Sequence, residues 1–87
     1  MRSSDQHPDE SERIQAAMGA VIKAKRQARG LSQRALATLT DLERSTISYI
    51  EQGSRAASVP TLFELAAALG VSPSDLLKEV EARLAAM

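Results

Sequence analysis

Cysteine is missing from this chain altogether, which leaves neither a disulfide framework nor a thiolate metal site. The one histidine, His7, sits in a polar stretch with no second histidine near it, so a metal centre or a histidine base is not expected. One Tyr and one Phe make up the whole aromatic content, and any core must therefore be aliphatic. No apolar run approaches the roughly 20 residues that a membrane span needs. The opening MRSSDQHPDESER has no apolar stretch of the kind a secretory leader carries, so cytoplasmic placement is the default expectation. Zinc-protease, nucleotide-loop and dinucleotide-binding patterns are all missing, and no carboxylates cluster for acid–base work. Neither enzymatic activity nor a cofactor is expected.

Net charge is lacking too, since 11 basic and 11 acidic side chains cancel. Their distribution is uneven. Residues 20–57 carry seven Lys and Arg against three Asp and Glu, while the segments on either side are both net acidic. A basic centre can attract phosphate locally even when the whole chain is neutral.

What is present reads as helix throughout. Length points to one domain. Residues 1–12 are polar with no apolar period and read as a disordered tail, leaving 13–87 as the folded domain. From about Glu12, Ile14, Ala17, Met18, Val21 and Ile22 recur at three- and four-residue steps, and Gly30 stops the helix behind a basic last turn. Lys23, Lys25 and Arg29 read as a solvated face. Ser32 caps a short second helix, about 33–39, with Leu36 and Ala37 inward. Thr40-Asp41-Leu42 reads as a tight turn, Asp tolerating the left-handed conformation better than most residues. A third helix, about 43–52, buries Ile47 and Ile50 and ends at Gly53. Ser58 caps a fourth with Leu62, Leu65, Ala66 and Leu69 inside, and Ser72-Pro73-Ser74-Asp75 reads as a capping box opening a fifth. The expected fold is all-α, five short helices joined by tight turns.

Residues 31–53, LSQRALATLTDLERSTISYIEQG, pair two short helices across a brief turn. If Leu36, Leu42, Ile47 and Ile50 clamp the pair to the core, Arg44, Ser45, Ser48 and Tyr49 face outward. Arginine can pair bidentately with guanine, and serine can serve a base edge or a phosphate. A Tyr hydroxyl or ring can meet phosphate or a thymine methyl. Arg34 is either a phosphate contact or a solvated residue.

The stretch Ile22–Leu77 resembles the Cro/C1-type helix-turn-helix family of phage repressors, restriction–modification controller proteins and bacterial regulators. The resemblance is carried by RGLSQRALA (29–37), RSTISYIEQG (44–53) and LFELAAALGVSPSDLL (62–77), and covers about two-thirds of the chain. It implies a compact, lambda-repressor-like domain binding double-stranded DNA as a homodimer on a pseudo-palindromic operator. It further implies that Gln33 contacts backbone phosphate and steadies the reading helix, that Arg44, Ser45, Ser48 and Tyr49 face bases and phosphates, and that Arg55 touches phosphate. Arg26 and Glu51 match a partly buried structural ion pair. The chain departs from the family pattern at Asp41, where Gly is usual, at Glu43, where a Ser cap is usual, and at Tyr49, where shorter polar residues are common. Glu43 is read as a tuning residue or as an acceptor from cytosine.

The last helix runs on as KEVEARLAAM, and Leu76, Leu77, Val80 and Leu84 are expected to form a dimer seam. The expected function is a transcriptional regulator, in particular a repressor. A second reading is the antitoxin of a toxin–antitoxin pair, with the polar N-terminal tail ordering on a small protein partner.

Overall fold

A computed structural model describes residues 9–87. The polar tail, the role of His7 and the toxin-binding segment of the second reading therefore fall outside the described residues, except for the last part of the tail. There the structure corrects the expected boundary. Helix α1 (Glu10–Ala28) already begins at Glu10, because Asp9 closes a reciprocal cap: its carboxylate accepts from Glu12 N at 2.8 Å, and Glu12 Oε1 accepts from Asp9 N at 3.1 Å.

Four further helices follow: α2 (Gln33–Thr38), α3 (Arg44–Glu51), α4 (Val59–Leu69) and α5 (Pro73–Ala86), with no strand among the described residues. Their ends are set by local chemistry. Ser32, Ser58 and Ser72 each accept a hydrogen bond from the backbone N–H three residues on. At Ser72 the cap is one-sided. Asp75 N donates to Ser72 Oγ at 3.0 Å, but the shorter Asp75 side chain does not reach back as a Glu would. Gly53 and Gly70 take φ of 78° and 76° just past α3 and α4, where a Cβ would be strained. The turn between α2 and α3 needs no such residue. No non-glycine has positive φ among the described residues, so Asp41 does not use the left-handed conformation expected of it. The turn is held instead by Thr40, whose Oγ1 donates to Leu36 O at 3.1 Å and accepts from Leu42 N at 3.2 Å.

The core is aliphatic and has two parts. Ala17, Val21, Leu62, Ala66, Leu76 and Val80 join α1, α4 and α5. Ile22, Leu36, Ile47, Ile50, Leu65 and Leu69 join α1 to α4. Met18 and Val71 pack against both. The two aromatic side chains take no part: Phe63 and Tyr49 are exposed.

This packing corrects the expected dimer seam. Leu76 and Val80 are buried within the protomer, against Ala17 and Val21 of α1, and Leu84 leans on the same cluster. Only Leu77 of the expected four is exposed. Two basic residues read as solvated are also tied down: Lys25 pairs with Glu79 of α5, and Arg29 Nη1 donates to Leu69 O at 3.0 Å, anchoring α1 to the end of α4. Leu39, at the end of α2, is exposed. No described helix is long and apolar enough to cross a membrane.

Candidate nucleic-acid interface

Helix α3 is amphipathic by construction. Ile47 and Ile50 pin one side into the core, and positions 44, 45 and 49 are thereby turned to solvent. It opens without a side-chain cap: Glu43 has the extended N-cap backbone but its carboxylate bonds no helix N–H. The first-turn amides thus have no side-chain cap, and the polarity of a helix start favours an anion there. Glu43 itself is exposed.

Arg44 is not a loose side chain. Its Nη1 donates to Gln33 Oε1 at 3.2 Å, and Gln33 Nε2 donates to Glu51 Oε1 at 3.0 Å. Glu51 is in turn gripped from below by Arg26, Nε to Oε2 at 2.6 Å and Nη2 to Oε1 at 3.0 Å. Arg26 Nη1 donates onward to Leu31 O at 2.8 Å, so the α1 end, the α2 start and α3 share one polar knot. Its ions are satisfied, and no buried side-chain N or O lacks a partner among the described residues. The hydrogen bond to Glu51 raises the Arg26 pKa, against the pull of burial. A raised arginine stabilises the fold at every pH below its ordinary value, and loses that role only above it, so its titration adds no pH dependence in the working range.

Farther along α3, Ser45 is exposed and Ser48 half-buried, its hydroxyl accepting from Gln52 Nε2 at 3.1 Å. Gln52 escaped the sequence reading, although its i, i+4 spacing from Ser48 was there to be seen. Tyr49 lies 46% exposed, and Arg55 from the following loop stacks 5.0 Å from its ring centroid. Arg55 Nη1 also reaches Thr46 Oγ1 at 3.5 Å. Arg55 and Tyr49 thus form one unit at the far end of the helix. Arg34 is exposed on α2. Gln33 is half-buried and committed to Glu51 and Arg44, a more internal position than the resemblance implied.

A short helix held proud of an aliphatic core by a second short helix, with cations and hydroxyls along its free side, is the construction of a major-groove reading module. The helix-turn-helix family model matches residues 22–76, and the chain belongs to that family, as a DNA-binding transcriptional regulator of the Cro/C1 type. The control protein C.MunI of Mycoplasma sp is 36% identical over 59 residues, 68% of this chain and 80% of the relative. Among solved structures, the clp gene regulator ClgR from Corynebacterium glutamicum superposes with a TM-score of 0.79 at 29% identity, covering 83% of this chain and 77% of that one. The restriction–modification controller protein C.Esp1396I, solved as a tetramer with its natural 35 base-pair operator, gives a TM-score of 0.75 at 28% identity, with 82% of this chain and 93% of that one covered.

Proposed function

We propose that two copies of this chain bind a pseudo-palindromic operator, each laying the N-terminal half of α3 in the major groove, and repress by occupying the promoter. The carrying observation is that Arg44 projects from the start of α3 with its guanidinium already held, while the opposite side of the same helix is core. In this reading Arg44 pairs with a guanine edge. Ser45, Ser48 and Tyr49 serve neighbouring edges and phosphates. Arg34 and Arg55 contact backbone, which positions the protein without specifying sequence. The likeness to a controller protein solved on its operator supports DNA as the partner.

Two-fold symmetry doubles contacts that one module of this size makes too few of. With Leu76 and Val80 consumed by the core, we assign the second copy to the apolar side chains left outside on α4 and α5, namely Val59, Phe63 and Leu77.

Selection from random duplexes followed by salt titration tests the proposal. The expected result is a palindromic site with half-sites about one helical turn apart and affinity falling steeply with salt. Arg44→Ala is expected to cost about 1–3 kcal/mol and to relax choice at one base pair. A uniform loss across all sequences would make Arg44 a phosphate anchor instead.

A further inference from the structure

We infer that Glu51, acting through Gln33, is a positioning residue for Arg44 and so helps decide which base pair the protein selects; this rests on Arg44 reading a base edge as proposed above. The buried Arg26–Glu51 pair has an obvious structural use, joining α1 to α3. Its geometry gives it a second one.

The polarity of the chain of contacts admits one arrangement. A carboxylate can only accept, so Gln33 must turn its NH₂ toward Glu51 Oε1, 3.0 Å away. The carbonyl oxygen of the same amide then necessarily faces the other way, toward Arg44, whose guanidinium can only donate. Flipping the amide would set NH₂ against NH₂ on one side and oxygen against oxygen on the other. The orientation of Gln33 is thus dictated by Glu51. Glu51 cannot drift, since Arg26 holds both of its oxygens and is itself tied to Leu31 O. The fixed end of the line is 9% exposed and the free end is open to solvent.

An arginine has many rotamers to lose on contact. Holding its guanidinium in one pose before DNA arrives lowers what binding must order and narrows the base edges it can meet. The carbonyl of Gln33 occupies one N–H of Arg44 and leaves the outer edge of the guanidinium for a bidentate partner. Selectivity at one base pair is in this way referred back to a carboxylate in the interior.

The experiment uses the full chain and the operator obtained by selection, with duplexes altered one base pair at a time. Glu51→Gln replaces the acceptor by a group that can donate or accept, so Gln33 loses its imposed direction. Gln33→Met keeps length and removes both hydrogen bonds without touching the ion pair, and serves even where Glu51→Gln folds poorly. Both are expected to shrink discrimination at the Arg44 base pair by about tenfold, within the range for one bidentate contact, with preferences at other positions intact. Gln33→Met combined with Arg44→Ala is expected to discriminate no worse there than Arg44→Ala alone. Loss of discrimination in Arg44→Ala but full retention in Gln33→Met and Glu51→Gln, with affinity falling equally for every duplex, overturns the inference and leaves Arg26–Glu51 purely structural. An Arg44→Ala protein that keeps its preferences overturns the base-reading assignment itself, and this inference with it.

Discussion

Gly19, buried in the middle of α1, is where that helix crosses α3. A Cβ there would lie 2.7 Å from the Glu51 carbonyl oxygen and 2.9 Å from its carbon, and closer still to Ile50 O. All three atoms are backbone, so no side chain can swing away. Ordinary carbon–oxygen contact begins at about 3.3 Å, so Gly19→Ala requires α3 to retreat by roughly 0.5–1 Å. Two effects oppose each other. Alanine gains about 0.5–1 kcal/mol over glycine in a helix interior. Overpacking a close-packed site costs typically 1–3 kcal/mol, and a rigid neighbour places this one toward the upper end. The expected net loss is about 2 kcal/mol, with a fall in Tm of about 4–8 °C per kcal/mol for a domain this size. Thermal and urea melts followed by circular dichroism measure it. A Tm equal to or above that of the parent protein would mean propensity has won and the close crossing does not hold. Because Ile50 and Glu51 belong to the reading helix, operator affinity is expected to drop as well, beyond what the unfolded fraction explains.

Two other substitutions separate roles that lie side by side. Leu76→Ala is expected to cost about 2–5 kcal/mol in a melt, as for a fully buried leucine, whereas Leu77→Asp should change stability by about 0.5 kcal/mol or less and shift sedimentation from dimer to monomer; equal effects of the two would sink the assignment of α5. Glu43→Ser should add about 0.5–1 kcal/mol by supplying the missing cap and tighten operator binding by removing an anion. A more stable but weaker-binding variant would make Glu43 a base contact.

The apolar period of each helix was legible because it is a property of the chain alone. Ala17, Val21 and Ile22, or Leu62, Leu65 and Leu69, could be assigned to the interior before any neighbour was known. Which neighbour covers a stripe is a different matter. Leu76 and Val80 have the spacing of an intersubunit seam, and nothing local reveals that α1 is long enough to cover them. The start of α1 was missed because Asp9 and Glu12 form their box inside a polar run, ahead of the first apolar residue. Lys25 and Arg29 read as solvated because their partners, Glu79 and Leu69 O, are 54 and 40 residues away. At the interface, the outward positions on α3 followed from its inward ones. The tie between Gln33, Glu51 and Arg44 did not, since it depends on how the start of α2 meets both ends of α3.

The two-part core shares almost no atoms with the surface proposed to read DNA. Ser45 and Tyr49 fill no space in either cluster, so exchanges there are open to drift toward new operators at little risk to folding. Position 44 is different. Its side chain is moored, through Gln33, to the carboxylate that binds α1 to α3, so under the proposed reading a change of preference at that letter of the operator must be tolerated by the scaffold as well. Among relatives that diverge in target, variation is therefore expected to accumulate first on the side of α3 that has no mooring.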